Sequence, residues 1–506
     1  MYDVVIVGAG PVGLFLACEL GLAGSSVLVL EQEARPGSVW RAMPLGFRGL
    51  SVASADAFHR RGMLRDLLVA SGAGDYPVAD PDADEAAPPA RVGHFAGVPL
   101  DPGRIDIAAL PFRLPGPAME PVGTSLEAVE GVLSERAAKL GVEIRRGVTV
   151  SAVTQADGHV VAHAGDETYA ARWLVGCDGG RSTVRKQAGF DFVGTEPRLT
   201  GYSMLATVAD PEKLRPGFNP MPTGMYLRAL APGHLAVMEL DGGAFDRSRP
   251  PGREHLQAVL RRVSGTDVTL SEVHFASTYT DRAKQPTTYR RGRVLLAGDA
   301  AHIHSPIGGQ GLNVGIGDAL NLGWKLAATL RGDAPEGLLD SYTRERHPVG
   351  AWVLDWTRVQ VATMSPDAHG RAVKALVHDL LGTRDGTTYA YEKLSGSGLR
   401  YDLGDDHPLA GRLAPELRLV DGTRLGDLLR EGRGVVLDFT PERRLREAAN
   451  GLDERVLYAA GPARDDLGLD AVLVRPDGIV AWAGERGFEQ AAFERAAGRW
   501  FGCAAV

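Results

Sequence analysis

Glycines near the amino terminus are spaced for binding phosphate groups. Gly8, Gly10 and Gly13 follow an apolar run at 4–7, whose β-branched residues are typical of a buried parallel strand. In this spacing the first glycine permits a tight turn, the second lets the backbone approach a pyrophosphate, and the third lets the next helix pack closely. A helix over 12–22 would direct unpaired N–H groups and a positive dipole end at the same place. The pattern therefore favours binding of a dinucleotide.

An acidic residue follows at the position that this motif uses for a ribose. The second apolar strand, residues 27–30, ends in Glu31, which favours a free 2′-hydroxyl over a 2′-phosphate. FAD or NAD(H) is therefore expected before NADP(H). The alternative is a purely structural βαβ turn, because a glycine-rich turn alone is weak evidence in a chain with 64 glycines.

A second strand-to-helix turn places polar residues at 173–186. The apolar strand runs into Asp178 and Gly179, and a carboxylate flanked by small residues at a strand end lies well beside a dinucleotide. The Ser182 hydroxyl is placed to cap the following helix. Its basic residues are candidates to receive phosphates, with a solvated basic helix as the alternative. These residues are Arg181, Arg185 and Lys186.

A third stretch combines a carboxylate with a glycine-rich loop and a long helix. The strand at 294–297 leads to Asp299, which is placed to accept hydrogen bonds from sugar or polyol hydroxyls. The loop glycines allow close contact with a flat group, and the helix over 312–330 directs its first N–H groups there. Such a positive helix end stabilises the negative charge of a reduced flavin. His302 and His304 have no carboxylate at metal-ligand spacing, so no metal site is predicted.

Taken in order, GAGPVG with Glu31, CDGGRSTVRK and RVLLAGDAAHIHSPIGGQGLN resemble the class A FAD-dependent aromatic hydroxylases of the para-hydroxybenzoate hydroxylase type. The subgroup that oxidises aromatic polyketides in antibiotic pathways is the most similar, and FAGVPLD at 95–101 also resembles it. In that family the first motif holds the ADP half of FAD, the second serves FAD and a visiting NAD(P)H, and the third holds the ribityl chain and flavin ring. The resemblance implies these FAD contacts: Gly8, Gly10, Pro11, Val12, Gly13, Glu31, Gln32, Arg41, Asp178, Gly179, Asp299, Pro306, Gly309, Gly311, Leu312 and Asn313.

The resemblance also implies a reaction. NAD(P)H, with NADPH favoured, reduces FAD, and the reduced flavin reacts with O2. A C4a-hydroperoxyflavin then hydroxylates a polycyclic aromatic polyketide, so the flavin carries the chemistry and no catalytic side chain is assigned. Two alternatives stay open. The same cofactor machinery would serve a Baeyer–Villiger insertion, an oxidative ring rearrangement or inactivation of an aromatic antibiotic, or the chain would be a non-catalytic flavin-binding scaffold.

The elements that position these turns predict an α/β fold with three domains. Residues 1–180 and 281–400 form a Rossmann-like FAD-binding domain, with part of 71–120 bordering the substrate site. The Pro-, Asp- and Ala-rich stretch at 71–90 is predicted to be an exposed loop. Residues 181–280 form an interleaved antiparallel sheet that binds the substrate, and its candidate cavity residues, which sheet packing explains equally well, are Tyr226, Arg228 and Met238. Residues 401–506 resemble a thioredoxin-like tail, which lacks C-x-x-C and is incapable of dithiol exchange.

Composition excludes several other classes of protein. The net charge of −8 without a basic block argues against a nucleic-acid partner, and no apolar run approaches the ~18 residues of a membrane span. The amino terminus is a strand without signal-peptide features, so a cytoplasmic protein is expected. Three scattered cysteines among 506 residues disfavour a disulfide framework or a zinc site. The expected partners are a small aromatic molecule and O2, and the expected assembly is a monomer or homodimer.

Overall fold

The computed structural model describes residues 1–73, 92–110, 112–114, 116–229 and 231–502. Most of the predicted loop at 71–90 lies outside these residues, and so does much of the first part of the segment 71–120, which is expected to border the substrate site. The α-helices of the described chain are α1 (Pro11–Leu22), α2 (Val52–Arg60), α3 (Leu64–Ala70), α4 (Leu126–Lys139), α5 (Thr183–Gln187), α6 (Arg253–Ser264), α7 (Gln310–Arg331), α8 (Ser341–Thr363), α9 (Ala368–Leu381), α10 (Arg384–Ser395), α11 (Leu425–Leu428), α12 (Arg446–Asn450) and α13 (Gln490–Phe501).

The strands between these helices belong to several separate sheets. They are β1 (Tyr2–Val7), β2 (Val27–Glu31), β3 (Phe47–Leu50), β4 (His94–Phe95), β5 (Val98–Pro99), β6 (Val122–Ser125), β7 (Glu143–Arg146), β8 (Ala152–Ala156), β9 (His159–Ala164), β10 (Glu167–Gly176), β11 (Val193–Thr195), β12 (Thr200–Val208), β13 (Gly217–Met221), β14 (Gly224–Arg228), β15 (His234–Glu239), β16 (Leu270–Thr280), β17 (Ala283–Gln285), β18 (Arg290–Arg291), β19 (Val294–Leu296), β20 (Gly434–Asp438), β21 (Val456–Ala460), β22 (Leu469–Val474) and β23 (Val480–Glu485).

The largest sheet has the strand order β18-β19-β10-β1-β2-β7, and the hairpin of β8 and β9 extends it from β10. Strands β19, β10, β1, β2 and β7 run parallel, so their carboxyl ends lie along one edge. β2 is buried at every residue and β1 at its last four, which explains their continuous apolar sequences. In such a sheet ligands bind outside the carboxyl ends of the strands. This edge therefore positions the candidate site.

A second sheet, β13-β14-β15-β12-β16, is antiparallel and has two differently covered faces. One face packs on α6 through an apolar cluster that includes Tyr202, Val237 and Leu260. Side chains on the other face, such as Met225 and Met238, pack with residues of the loop before α7 and of α8. Alternate residues of a strand point to opposite faces, so neighbours on β14 and β15 belong to different clusters.

The carboxyl-terminal part is a smaller α/β unit. Its sheet has the order β21-β20-β22-β23, with β20 and β21 parallel and the other pairs antiparallel. These elements confirm the predicted α/β fold class. They comprise a Rossmann-like sheet, an interleaved antiparallel sheet and this smaller carboxyl-terminal unit. The domain boundaries themselves stay a prediction.

Charged residues in the turn between β22 and β23 form a cluster of buried ion pairs with residues of α7 and α8. Arg475 donates from Nη1 and Nη2 to the two carboxylate oxygens of Glu345 on α8, at 2.9 and 2.8 Å. Lys325 of α7 donates to the same carboxylate at 2.9 Å, and Asp477 pairs with Arg475. Although burial alone would raise it, the pKa of Glu345 is held well below its ordinary value by Arg475 and Lys325. Ion pairs without contact with water therefore join the carboxyl-terminal unit to α7 and α8.

None of the helices in the described ranges combines the length and apolar character needed to cross a membrane.

We expect Arg475→Met to destabilise the fold strongly, because it leaves Glu345 and Asp477 charged, buried and short of a partner. Loss of one member of a buried ion pair lowers the free energy of unfolding by about 3–5 kcal/mol. The urea denaturation midpoint should therefore fall markedly. Arg486→Met is the matched control, since Arg486 pairs with Asp466 on the surface and both side chains are at least 70% exposed. That pair contributes at most about 1 kcal/mol. Equal midpoint shifts for the two variants would contradict the role given to Arg475.

Candidate cofactor and substrate site

The three glycine-containing turns meet at the carboxyl edge of the parallel sheet. Gly8 has a φ of +106°, and a methyl group there would lie 2.4 Å from the Cys177 carbonyl oxygen, so the first and second turns are in backbone contact. A methyl group at Gly315 would lie 2.4 Å from Cγ2 of Val12, which brings the third segment against the start of α1. The structure thus brings the three predicted motifs together.

The start of α1 is open on the side away from the sheet. Gly10 is the N-cap residue and has no side chain to pair with the first N–H groups, and Pro11 follows at the first helical position. A methyl group at Gly10 would meet no atom within 4 Å, whereas one at Gly13 would lie 2.1 Å from the Gly8 carbonyl oxygen. Gly13 therefore lets α1 pack on β1, and Gly10 leaves space for a phosphate group.

Glu31 lies at the predicted position beside this turn. Its Oε2 accepts a hydrogen bond from the Ala9 N–H at 2.7 Å, and its Oε1 accepts one from the Glu33 N–H at 2.9 Å. Each carboxylate oxygen has a second lone pair, which is free to accept from a ribose hydroxyl. Gln32 next to it is exposed. The acid thus holds the glycine turn in addition to its proposed contact with the ribose.

Arg41 is held between two carboxylates near the same edge. Its guanidinium pairs with Glu33, and its Nε lies 2.9 Å from Oε2 of Glu130 on α4. Burial opposes the charge of Arg41, but the Glu130 and Glu33 carboxylates raise its pKa above the ordinary value. This cation is permanent and held in a fixed position, as expected of a residue that contacts an anionic cofactor.

Asp178 follows β10 and holds the start of α5. Its Oδ2 accepts from the Thr183 and Val184 N–H groups at 2.7 and 3.0 Å, and Gly179 follows it in the turn. Its Oδ1 is buried and finds no hydrogen-bond partner among the described residues. A buried carboxylate oxygen without a donor is costly, so this oxygen is suited to a ligand hydroxyl.

The basic residues after Asp178 are all predicted to be candidates for binding phosphate, but the structure gives them different roles. The Ser182 hydroxyl caps α5 as expected, accepting from the Arg185 N–H at 2.9 Å. The prediction that Arg185 receives phosphate is wrong, because its guanidinium is buried and donates to the carbonyl oxygens of Ala300 and Gly180 at 2.8 and 2.9 Å. Arg185 therefore joins the second turn to the third, and Arg181 stays exposed.

The third segment presents a carboxylate and an uncapped helix start. Asp299 is exposed, although Gly298 and Ala300 on either side are buried. Gly309 is the N-cap of α7 with a φ of +66° and no side-chain cap, so the first N–H groups, at Gln310, Gly311 and Leu312, have no intrahelical partner. Pro306 is exposed in the preceding loop. The positive end of a 22-residue helix therefore faces the same side as Asp299.

Asn313 fastens this helix start to β3. Its Oδ1 accepts from the Ser51 N–H at 2.8 Å, and its Nδ2 donates to the carbonyl oxygens of Gly49 and Gly309 at 3.0 and 2.9 Å. The side chain is thus committed to the protein, and only the backbone of Asn313 is placed to contact a cofactor. Arg48 on β3 interacts with Asp299, whose carboxylate opposes the lowering of the Arg48 pKa by burial.

These features fit a flavin dinucleotide. The space before Gly10 and the uncapped N–H groups of α1 suit its pyrophosphate, and the unpartnered Oδ1 of Asp178 and the exposed Asp299 suit its hydroxyls. The uncapped start of α7 suits the pyrimidine edge of the flavin ring, where negative charge develops on reduction. The glycine turns and the acidic residues predicted to bind the cofactor are therefore arranged along one site.

The two histidines of the third segment are engaged with protein atoms. His302 Nε2 lies 2.7 Å from Oδ2 of Asp318, which also accepts from the Gly298 N–H at 3.0 Å. His304 Nδ1 donates to the Ser305 carbonyl oxygen at 2.9 Å. Across the described part of the chain, no group of three or more His, Cys, Asp or Glu side chains is arranged to hold a metal ion.

The candidate substrate residues lie on different faces of the antiparallel sheet. Met238 packs with Ile307 of the flavin loop, defined as residues 305–309 before α7. Tyr226 packs on the α6 side and accepts a hydrogen bond from the Arg215 N–H at 3.1 Å. Arg228 donates to the carbonyl oxygens of Pro211 and Leu214, both at 2.7 Å. The structure therefore brings Met238 to the cofactor side, but not Tyr226 or Arg228.

Sequence reasoning missed α8 as part of this site. Trp356 and Gln360 of α8 lie against β4 and the flavin loop, respectively. A helix of mixed polarity gives no local signal of such a position, because only the tertiary contacts place one of its faces beside a loop distant in sequence. The one available hint is a glutamine among apolar residues at 359–361.

Comparison with known proteins identifies the family. A family model described as an FAD binding domain matches residues 1–357, and one described as the carboxyl-terminal region of aromatic-ring hydroxylases matches residues 407–504. A monooxygenase of Claviceps purpurea is 45% identical over 98% of this chain and 97% of its own. The rifampicin monooxygenase of Streptomyces venezuelae is 39% identical over 100% of this chain and 99% of its own.

A solved structure extends the similarity to the whole fold. The OxyS anhydrotetracycline hydroxylase of Streptomyces rimosus superposes with a TM-score of 0.85 at 35% identity, covering 100% of both chains. The family models match most of the chain, and the relatives and the OxyS structure are similar to it over nearly its whole length. The chain belongs to the family of FAD-dependent aromatic-ring monooxygenases.

Proposed function

We propose that the protein hydroxylates a polycyclic aromatic polyketide, using FAD, NADPH and O2. The observation that carries this proposal is the convergence of the three glycine-containing turns opposite an apolar sheet face. Similar proteins are named for rifampicin and anhydrotetracycline, which supports a substrate with several fused or substituted rings. Bound FAD supplies the redox chemistry, taking hydride from NADPH and activating O2 for transfer of one oxygen atom to the ring.

The residues of the chain hold and orient the cofactor. The N–H groups at the start of α1 receive the pyrophosphate, with Glu31 on the adenosine ribose and Arg41 as the nearby fixed cation. Asp178 and Asp299 accept hydrogen bonds from the cofactor hydroxyls, which fixes the ring position relative to the sheet. The start of α7 stabilises the negative charge that reduction places on the ring.

The apolar cluster beside the flavin loop excludes water from the reacting ring. It is formed by residues from the sheet, the loop and α8: Leu199, Met225, Met238, Ile307, Val361 and Met364. Water exclusion prevents side reactions of a reactive oxygen species before it meets the substrate. The unbranched methionines also adapt to a large, rigid ring system at little cost.

NADPH is the proposed hydride donor. Arg181 is exposed beside the Asp178–Gly179 turn and supplies a cation for its 2′-phosphate, for which a guanidinium is well suited. A Baeyer–Villiger insertion would use the same donor and cofactor site. The product therefore has to be identified by its structure as well as by its mass.

The proposed reaction predicts a yellow protein that oxidises NADPH faster when a substrate is bound. With anhydrotetracycline or rifampicin under 18O2, we expect one labelled oxygen atom in the product, measured by mass spectrometry. NMR then separates a new hydroxyl group from oxygen inserted into a ring. NADPH oxidation that yields only hydrogen peroxide with every aromatic polyketide tested would contradict the proposed function.

Two glycine substitutions separate cofactor binding from folding. Gly10→Ala places a methyl group where the protein leaves space, so we expect the fold to persist while FAD affinity falls by about tenfold or more. Gly13→Ala is the contrasting variant, because its methyl group would lie 2.1 Å from the Gly8 carbonyl oxygen and force α1 off β1. FAD fluorescence titration and thermal denaturation measure the two effects. Unchanged FAD affinity in Gly10→Ala would argue against a pyrophosphate at this position.

A further inference from the structure

Helix α8 carries polar side-chain atoms that the fold leaves without partners. The Gln360 side chain is completely buried, and neither its Oε1 nor its Nε2 has a hydrogen-bond partner among the described residues. Trp356 lies one turn earlier, on the same face of the helix, and its buried Nε1 also has no partner within the described ranges. Two neighbouring positions thus present one indole donor and one complete carboxamide.

The Gln360 side chain lies where the substrate is expected. A methyl group at Gly308 of the flavin loop would be 2.9 Å from Nε2 of Gln360, so the carboxamide lies directly on that loop. The neighbours Ile307 and Val361 share an apolar cluster with Met238 of the sheet. Gln360 therefore lies on the flavin loop, next in sequence to a residue that packs with the cofactor-facing side of the antiparallel sheet.

Aromatic rings form the adjoining wall. The Trp356 ring contacts Phe95 edge to face, with ring centroids 4.9 Å apart, and lies 5.4 Å from the ring of Trp352. Such a wall suits contact with a flat ring system. The donor and acceptor atoms of α8 therefore accompany a surface for aromatic stacking.

The start of the flavin loop and the histidine directly before it add two further groups of the same kind. His304 Nε2 and Ser305 Oγ are buried and unpartnered in the described structure. Because His304 Nδ1 donates to a carbonyl oxygen, its Nε2 is an acceptor in the neutral ring, and burial lowers the His304 pKa and favours that neutral form. All four side chains are uncharged, which favours neutral oxygen substituents over a carboxylate or a phosphate.

We propose that Trp356 and Gln360 form a polar subsite that recognises phenol or quinone oxygens on the polycyclic substrate. The indole N–H donates to one oxygen, and the carboxamide pairs with a neighbouring carbonyl or hydroxyl group. This inference rests on the proposed function, because it assigns the contacts of the same substrate. It makes both residues determinants of substrate position above the flavin ring, and neither supplies reacting atoms.

The decisive variant is Gln360→Leu, tested in the FAD-loaded protein. Leucine has a similar volume and removes the unpartnered amide, so we expect an equal or higher melting temperature than the wild type. Affinity for anhydrotetracycline or rifampicin, followed by the flavin absorbance change, should fall about tenfold, with KM raised more than kcat is lowered. Trp356→Phe keeps an aromatic ring but removes the N–H together with part of the indole, and we expect a smaller loss of affinity than for Gln360→Leu.

Gln285→Leu is the matched control. Gln285 is also buried, but its amide has partners, Tyr289 Oη at 3.1 Å and His347 Nε2 at 3.1 Å. Its replacement should lower the melting temperature and leave substrate affinity unchanged. Opposite stability effects of the same substitution at 285 and 360 would distinguish a structural amide from one reserved for a ligand.

Three results would overturn the inference. If Gln360→Leu lowers the melting temperature as Gln285→Leu does and leaves substrate affinity unchanged, the amide is structural. If FAD affinity falls and polyketide affinity does not, the carboxamide serves the cofactor. If the wild type binds neither polyketide and shows no stimulated NADPH oxidation, the proposed substrate class fails and this subsite fails with it.

Discussion

Close backbone contact at the carboxyl edge of the parallel sheet is the constraint on which the site depends. The Gly8 turn touches the Cys177 carbonyl, α1 packs on the Gly8 carbonyl at Gly13, and α7 packs on Val12 at Gly315. Methyl groups at these three glycines would lie only 2.1–2.4 Å from their neighbours. Because these glycines carry no side chain, the segments pack closely and the uncapped starts of α1 and α7 are held on one side of the sheet. Both helix dipoles then act on a single bound molecule.

A buried polar chain connects this edge to the carboxyl-terminal unit. Asp318 of α7 accepts from the Gly298 N–H next to Asp299, and its other oxygen accepts from Arg346 Nε at 2.7 Å. Arg346 in turn donates to the Tyr401 hydroxyl at 2.8 Å. Buried charges of this kind add little net stability compared with apolar packing, but they permit few alternative arrangements. A unit without a dithiol pair therefore contributes to the shape of the flavin site.

Local sequence pattern accounts for much of the fold and of the cofactor site. The glycine spacing, the apolar strands and the Ser182 cap depend on residues within a few positions of each other, and α1 and α7 begin within two residues of their predicted starts. The prediction that Arg185 binds phosphate fails because its guanidinium donates to the Ala300 carbonyl oxygen, which lies more than 100 residues away in the sequence. The two-residue period of β14 and β15 shows that Tyr226 and Met238 alternate with their neighbours, but not which face meets α6.

The cofactor and substrate halves of the site are built from different kinds of group, which explains why the sequence predicts the first in more detail than the second. Backbone N–H groups hold the dinucleotide, and they require glycines at fixed spacing, so the requirement is visible as a motif. In the substrate site that we propose, the contacts come from side chains on α8 and the sheet, and a helix or strand tolerates many different residues at such positions. Gln360 can change without disturbing a turn, a cap or a strand pair. The substrate range can therefore diverge within one family while the glycine motifs, and the chemistry they support, stay the same.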